Sequence, residues 1–168
     1  MKNANQSNDQ ELIKFNNYKW DDVNTVMYKA CCTNETTFYN VERQNIVANN
    51  DICFEVRYFE CGKDGFTTLE KHQHTHVVMI ARGRGKVIIG DRIFNASPFD
   101  YFIISEWRPH QLINASDEPF GFFCTVNAER DKFTLLSKEE ISELTQNKEI
   151  AEYIRIPEGY KTKQEKKK

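Results

Sequence analysis

The sequence predicts an all-β protein with a short helical segment near its C-terminus. Between Ile52 and Asn127, short runs rich in Val, Ile, Phe and Tyr are separated by glycines and a proline. This pattern indicates successive strands joined by turns. The last third of the chain has a different apolar period, which favours helices there. With 168 residues the chain is long enough for one domain with a sizeable core, and a second domain is not expected.

Eight strands are predicted in the central segment, and this number suits a sandwich or a jelly-roll barrel. Gly90 and Asp91 separate two of them, and we predict a hairpin there because two-residue turns favour the positive φ that glycine tolerates best. In chain order the predicted strands are Cys53–Cys61, Thr68–His74, His76–Arg82, Lys86–Ile89, Arg92–Asn95, Tyr101–Ser105, His110–Asn114 and Gly121–Asn127.

The N-terminal part of the chain lacks such a pattern. Residues 1–12 are predicted to be a disordered leader, and the stretch that follows, through Asn24, is predicted to be either irregular or a short helix. The barrel domain is therefore expected over residues 13–136, with residues 52–127 as its core.

The C-terminal part, residues 137–168, is predicted to be helical and then disordered. Ser137 and Glu140 have the spacing of a capping box, which predicts a helix to about Leu144, and a second short helix is predicted around residues 148–154. The Lys-rich end over residues 161–168 is predicted to be a solvated tail. We expect the helices to cover the barrel or to pair subunits.

Charge and composition exclude several classes of partner. The formal net charge is -2, which gives no reason to expect a nucleic-acid partner. No window approaches the ~20 consecutive apolar residues that a membrane span needs, and the N-terminus lacks an apolar signal core, so a cytoplasmic location is the expectation. The odd number of cysteines predicts free thiols rather than a disulfide framework, at Cys31, Cys32, Cys53, Cys61 and Cys124.

The four histidines predict a metal site. His72, His74 and His76 alternate, and in an extended segment all three imidazoles project from one face. His110 is the remaining histidine and the natural fourth ligand for a divalent ion. The competing interpretation is that each histidine is simply hydrogen-bonded in a half-buried strand. We favour the metal site, because burying several imidazoles without partners costs free energy for each unpaired nitrogen.

These residues resemble the cupin superfamily. Its first motif, a His-x-His pair with a third ligand and a Gly-rich turn, is similar to the segment from Gly65 through the histidines to Gly85. Its second motif is similar to residues 98–114, from Pro98 to the His110–Asn114 run. The resemblance covers residues 52–127 and implies a double-stranded β-helix, the cupin jelly-roll barrel, that binds one divalent metal ion. It also implies a homodimer.

The sequence departs from the cupin pattern at the third ligand. Counting back from Gly83, His76 occupies the place where the family usually has a glutamate, so the resemblance implies an all-histidine site of His72, His74, His76 and His110. Glu70 shares the parity of the first three histidines. It is therefore either a direct ligand or, as we favour, a residue that orients a ring N–H or lies exposed at the strand start.

Four further residues are candidates for a substrate pocket. Arg57 either faces water or lines the pocket, where it would suit an anionic substrate. Trp107 and Gln111 flank His110 and either border the site or belong to ordinary packing. Cys124 is either a pocket thiol or, as we favour, a small buried hydrophobe.

The function predicted from these features is that of a metal-dependent cupin acting on a small, anionic, metal-chelating substrate. Imidazole ligands suit Fe, Mn, Ni and Zn, so the metal is left open. With Fe(II) a dioxygenase is the favoured reaction, and a metal-dependent isomerase or lyase is the alternative. No dedicated general base is visible in the sequence. A non-catalytic cupin that binds a small ligand is the competing class of function, because one fold hosts many functions.

Overall fold

A computed structural model of the chain describes residues 11–29, 37–48, 52–158 and 160. The leader up to residue 10, the Cys31–Cys32 pair and the Lys-rich end from residue 161 lie outside these residues, so what the sequence predicts for them stays a prediction. The predicted domain boundaries also stay predictions. Within the described ranges, no helix combines the length and the apolar character that crossing a membrane requires.

The structure confirms the all-β prediction. Two short strands, β1 and β2, form a separate hairpin, and the other strands belong to one curled antiparallel sheet. The strands are β1 Phe15–Asn16, β2 Lys19–Trp20, β3 Thr25–Met27, β4 Tyr39–Val47, β5 Phe54–Phe66, β6 Glu70–Lys71, β7 His76–Arg82, β8 Gly85–Ile89, β9 Arg92–Ala96, β10 Tyr101–Ile104, β11 His110–Asn114, β12 Phe120–Asn127 and β13 Thr134–Leu135. Two helices follow, α1 Lys138–Leu144 and α2 Lys148–Tyr153.

Strand β5 links the two halves of the barrel. Its first part pairs with β12 and with β4, and its last residue, Phe66, pairs with Ile113 of β11. One half therefore runs β10-β7-β12-β5-β4-β3, and the other contains β9, β8, β11, β6 and β13. Strand β5 has 13 residues and is long enough to pair in both halves. This length allows the sheet to curl over on itself.

Because side chains alternate along a strand, apolar residues of one strand point to opposite faces of the sheet. On β8 and β11, Val87, Ile89 and Leu112 join the core cluster inside the barrel, whereas Ile88 and Ile113 join a second cluster outside it. The inner cluster also contains buried residues of β5, β7 and β12, which are Phe59, Cys61, Val78, Ile80, Phe120, Phe122, Cys124 and Val126.

The C-terminal segment covers the outer cluster. Covering the barrel is one of the two roles expected of this segment from its sequence. Ser137 accepts from the backbone N–H of Glu140, and the Glu140 side chain accepts from the Ser137 N–H, so the predicted capping box and helix are confirmed. The apolar side chains of Leu144 and Ile150 pack against Ile88 and Ile113. Their burial is the main source of stability for these helices, which are too short to persist alone.

Two local predictions have different outcomes. The Gly90–Asp91 hairpin is confirmed, and Gly90 has a φ of 60°. The predicted strand over Thr68–His74 is wrong, because β6 ends at Lys71 and residues 72–75 form a bend before β7 begins at His76. The alternating histidines therefore do not lie along one extended strand.

Tyr160 fixes the segment in front of this bend from the outside of the barrel. Its hydroxyl donates to the Leu69 carbonyl at 2.7 Å and accepts from the Leu136 N–H at 2.8 Å. Leu69 and Leu136 are both fully buried, so neither backbone group has water as a substitute partner.

Tyr160→Phe should lower the free energy of unfolding by about 1–3 kcal/mol, because it leaves a buried carbonyl and a buried N–H without their shared partner. Urea unfolding of the metal-free protein measures the change. Tyr101→Phe is the matched control, since Tyr101 is 66% exposed. Equal stability of the two variants would show that the Tyr160 hydroxyl contributes nothing.

Candidate metal centre

The four histidines meet at one end of the barrel. His72 and His74 lie on the bend between β6 and β7, while His76 and His110 are the first residues of β7 and β11. The ring centroids are 3.6 Å apart for His72–His74, 4.3 Å for His72–His76, 4.8 Å for His74–His76, 4.8 Å for His72–His110 and 5.3 Å for His76–His110. The bend thus brings together the rings that the sequence placed on one strand face.

Each histidine has a neighbour at Nδ1. His72 Nδ1 lies 2.9 Å from the His74 carbonyl, and His110 Nδ1 lies 2.9 Å from the Arg108 carbonyl. His74 Nδ1 lies 2.6 Å from Asp131 Oδ1, and His76 Nδ1 lies 3.5 Å from Cys124 Sγ. Because a carbonyl only accepts, the Nδ1 atoms of His72 and His110 donate, and their Nε2 atoms carry the lone pair.

The remaining nitrogens fit a divalent cation. The Nε2 atoms of His72 and His76 are buried and have no hydrogen-bond partner among the described residues. Ligand nitrogens of His72, His76 and His110 all lie within 4.8 Å of one another. Buried lone pairs without a donor are costly, and a metal ion supplies the missing partner for several of them at once.

The electrostatics keep these imidazoles neutral. Burial, followed by the neighbouring imidazoles of His110 and His74, lowers the pKa of His72 to about 4. Burial is also the main cause that lowers the pKa of His76 and of His110. Neutral rings at physiological pH are the form that binds a metal, so little proton competition is expected there.

Glu70 lies in the same cavity but is engaged elsewhere. It is buried, pairs with Lys29 through its carboxylate, and lies opposite His110 in the β6–β11 register. Among the described residues, the groups with metal-ligand spacing are His72/His76/His110 and His72/His74/Asp131, and neither contains Glu70. The contact expected of Glu70, a carboxylate at a histidine N–H, is made at His74 by Asp131 instead.

The sequence did not single out Asp131. This residue follows β12, more than fifty positions from the histidine bend, and nothing in its local sequence distinguishes it from a surface aspartate. Its Oδ2 accepts from the Gln73 N–H at 2.8 Å, and its Oδ1 accepts from the His74 N–H at 3.1 Å. Only the path of the chain after β12 reveals that it reaches the bend.

A cavity of about 160 Å³ opens onto the histidines. Two of the predicted pocket residues, Arg57 and Cys124, line it. Its lining includes two acidic residues, Glu70 and Asp131, and five basic ones, which are Lys29, Arg43, Arg57, Arg130 and Lys132. The excess of positive charge suits an anionic ligand.

The structure places the other two predicted pocket residues outside the cavity. Gln111 follows His110 on β11, so alternation turns it to the opposite face, where its side chain bonds the Thr67 and Arg155 carbonyls and the Arg155 N–H. The Trp107 side chain is half exposed, and only its backbone reaches the site, donating to the His72 carbonyl at 2.7 Å.

Arg57 and Cys124 form a pair across two strands. They lie opposite each other in the β5–β12 register, and Arg57 Nη2 donates to Cys124 Sγ at 3.3 Å. The Nε of Arg57 is buried and has no hydrogen-bond partner among the described residues. Burial raises the pKa of the Cys124 thiol, and the Arg57 guanidinium opposes that shift. Cys124 is therefore both a buried core residue and a thiol at the cavity wall.

Known proteins resemble this chain over most of its length. A family model described as a cupin domain matches residues 58–126. The chain is 38% identical over 137 residues to a 1-methylthio-D-xylulose 5-phosphate methylsulfurylase of Rhodospirillum rubrum, covering 82% of this chain and 86% of that protein.

Solved structures show the same fold. A cupin-2 domain of Rhodospirillum rubrum has a TM-score of 0.74 at 37% identity and covers 83% of this chain and 93% of its own. A conserved-barrel cupin-2 protein of Rhodopseudomonas palustris has a TM-score of 0.74 at 38% identity, with 81% and 92% covered.

The depressed histidine pKa values predict how the metal-free protein responds to acid. In the unfolded chain His72 takes up its proton near pH 6.5, but in the folded protein only near pH 4. Between these two pH values the unfolded state therefore binds more protons than the folded state. The free energy of unfolding consequently decreases as the pH falls from about 6.5 to about 4. Urea unfolding with a chelator present should show a steeper loss of stability over this range for the wild type than for His72→Gln. Parallel pH profiles of the two proteins would contradict the predicted shift.

Proposed function

The chain belongs to the cupin family, and from that premise we propose that it is a metal-dependent enzyme acting on a small methylthio-substituted ketose phosphate. The observation that carries the proposal is one cavity in which neutral imidazoles, a thiol and several cations converge. The relative from Rhodospirillum rubrum supports the substrate class, because its name specifies a 1-methylthio ketose with a phosphate at the other end.

The metal ligands in this proposal are His72, His74, His76 and His110. Their Nδ1 atoms already have neighbours, so Nε2 is the atom left for an ion. A divalent ion bound there would act as a Lewis acid toward the substrate carbonyl and stabilise negative charge that develops on its oxygen. Imidazole donors are compatible with Mn, Fe, Ni and Zn.

The basic residues of the cavity would bind the phosphate. Lys29 and Arg130 are paired with Glu70 and Glu55, which leaves their contribution to an anion partly neutralised. Lys132 is exposed at the same wall, where it can meet a phosphate without a large desolvation cost. A dianionic ligand is favoured in a cavity with five cations and two carboxylates.

Cys124 would accept the methylthio group. When His76 binds an ion through Nε2, its Nδ1 carries the hydrogen and points at Cys124 Sγ, which then accepts from both His76 and Arg57. Two donors at sulfur favour the thiolate against the effect of burial. The thiolate is a good nucleophile toward the sulfur of a methylthio group that lies next to a ketone.

The step balances without an external oxidant. A bond forms between Cys124 Sγ and the substrate sulfur, and the bond from that sulfur to C1 breaks. The electron pair passes to C1, conjugated with the carbonyl, and C1 takes up the proton that the thiol released. The products are a 1-deoxy ketose phosphate and a methyl disulfide on Cys124. A low-molecular-weight thiol regenerates Cys124 by exchange, leaving as its own methyl disulfide.

An assay of the wild-type protein tests the proposal. Protein depleted of metal and reloaded with Mn, Fe, Ni or Zn is mixed with 1-methylthio-D-xylulose 5-phosphate and a monothiol such as glutathione. Proton NMR should show the methylthio signal of the substrate disappear and a C-methyl ketone signal appear. Intact substrate with every metal would rule out this activity.

The rival functions give different results in the same experiment. The dioxygenase that the sequence favoured would consume oxygen. An isomerase would move the carbonyl and retain the methylthio signal, and a lyase would break a C–C bond or release methanethiol without forming the C-methyl ketone. A non-catalytic cupin would bind the compound without changing it. The expected homodimer and cytoplasmic location stay predictions.

Cys124→Ser should lower turnover by about a thousandfold or more, because a hydroxyl is a far weaker nucleophile than a thiolate toward sulfur. Mass spectrometry of the wild type without added thiol should detect a methylthio adduct on Cys124, and the variant should carry none. Cys53→Ser is the control, since Cys53 is an exposed cysteine outside the cavity lining. Wild-type turnover by Cys124→Ser would remove the thiol from the mechanism.

His76→Glu should restore the carboxylate that cupins usually have and shift metal preference from Ni toward Mn by about tenfold, equivalent to about 1.4 kcal/mol, because an oxygen anion replaces a nitrogen ligand. Competition titrations with a chromophoric chelator measure both affinities. Thr75→Glu is the matched control, because it adds the same charge at an exposed neighbouring position. Unchanged preference and affinity in His76→Glu would show that His76 is not a ligand.

A further inference from the structure

We propose that Asp131 is a positioning residue of the metal centre, one that holds the 72–75 bend in the shape that directs His72 and His74 to the ion. The proposal rests on the metal-dependent function proposed above. It assigns a role to a carboxylate that lies in the chain far from both histidine motifs and that reaches the bend from the segment after β12.

Asp131 makes three hydrogen bonds to two successive residues of the bend. Its Oδ2 accepts from the backbone N–H of Gln73 at 2.8 Å. Its Oδ1 lies 3.1 Å from the His74 backbone nitrogen and 2.6 Å from His74 Nδ1. Partial burial raises the pKa of Asp131, but these hydrogen bonds, first that from Gln73, outweigh it and lower the pKa to about 2. Because its partners are N–H groups, both carboxylate oxygens act as acceptors.

The bend depends on partners from outside its own sequence. Residues 72–75 lie between β6 and β7 and belong to no strand, so their backbone groups are not bound in the sheet. The His72 carbonyl accepts from the Trp107 N–H on one side, and Asp131 accepts from Gln73 and His74 on the other. Without Asp131, two backbone donors beside the histidines would lose their acceptor.

Asp131 itself lies on an anchored segment. Arg130 donates to Glu55 on β5 at 2.7 Å and to the backbone carbonyl of Asn127 at 2.8 Å. Two residues later, the ring of Phe133 lies 3.5 Å from Lys29 Nζ. The carboxylate is therefore presented by a piece of chain tied to the barrel on both sides, which is what a residue that positions another requires.

Hydrogen bonding distinguishes a positioning role from direct ligation. Asp131 could be counted as a ligand, since one of its oxygens lies within 4.8 Å of ligand nitrogens of His72 and His74. Both of its oxygens, however, already accept hydrogens from the bend, and Oδ1 accepts two. The bond to His74 Nδ1 fixes the orientation of the ring and leaves the Nε2 lone pair free to bind an ion. A carboxylate that accepts from Nδ1–H also makes the imidazole a stronger metal ligand.

Asp131→Asn tests this role, because an amide has only one acceptor oxygen. Its NH₂ group would lie against one of the two backbone N–H groups that Asp131 binds. The dissociation constant for Co(II) should rise about 10–100-fold. Asp100→Asn is the matched control: Asp100 also accepts from a backbone N–H, that of Ser97 at 2.8 Å, in an exposed turn outside the lining of the histidine cavity. The control should stay within about twofold of the wild type, the usual scale of a surface change.

Two further measurements separate the possible outcomes. The visible absorption of bound Co(II) should keep its intensity in Asp131→Asn, since the number of ligands is unchanged, whereas a changed coordination number would make Asp131 a ligand and overturn the proposal. Asp131→Glu retains the charge and should recover part of the affinity. It also carries the test if the asparagine variant fails to fold, and in that case wild-type affinity in Asp131→Glu would overturn the proposal. A wild type that binds no divalent ion would overturn the metal-dependent function as well, whereas equal Co(II) binding by wild type and Asp131→Asn would overturn this proposal alone.

Discussion

The convergence of four imidazoles in one cavity, with His72 and His110 buried, is the constraint on which the rest of the site depends. Each ring has two nitrogens, and each buried nitrogen needs a partner or costs free energy. The protein supplies one partner per ring at Nδ1, from two carbonyls, a carboxylate and a thiol. The unsatisfied Nε2 atoms of His72 and His76 remain, and an ion that binds them relieves a cost already present in the folded chain. In the proposed metal-binding function, metal binding and folding stability are therefore linked.

The covering helices contribute to this site from the opposite face of the sheet. Lys71, the last residue of β6, pairs with Glu140, the residue that also closes the capping box of α1. Tyr160 binds the carbonyl of Leu69, immediately before Glu70. The short strand β6, only two residues long, is thus held from outside while its next residue, His72, faces the cavity. Packing of the C-terminal segment is what lets so short a strand end in a defined bend.

Much of the fold could be predicted from the sequence, because it depends on local signals. The Gly90 turn, the capping box at Ser137 and the alternation of β11 each depend on a few neighbouring residues. The site was predictable only in composition. All four histidines converge, yet alternation predicted a strand where the chain forms a bend, since the partners that stabilise the bend, Asp131 and Trp107, are distant in sequence. Gln111 is the opposite case. It was named from the sequence as a candidate pocket residue, but alternation along the strand from His110 would have excluded its side chain from the pocket.

Cys124 shows why sequence alone leaves a residue's role open. A cysteine in an apolar run, Gly121-Phe-Phe-Cys-Thr-Val, is usually a small buried hydrophobe, and Cys124 is indeed buried in the inner cluster. What changes its chemistry is its position between two strands. Antiparallel pairing places Arg57 directly opposite it on β5, and β7 on its other side carries His76 to within 3.5 Å of Sγ. A thiol flanked by a guanidinium and an imidazole differs from one surrounded by hydrocarbon, because both neighbours can donate to sulfur and favour the thiolate. Whether His76 does so depends on which of its nitrogens carries the hydrogen, and an ion at Nε2 requires that hydrogen to be on Nδ1. In the proposed mechanism, the reactivity of Cys124 is therefore coupled to the occupancy of the metal centre through a single imidazole ring.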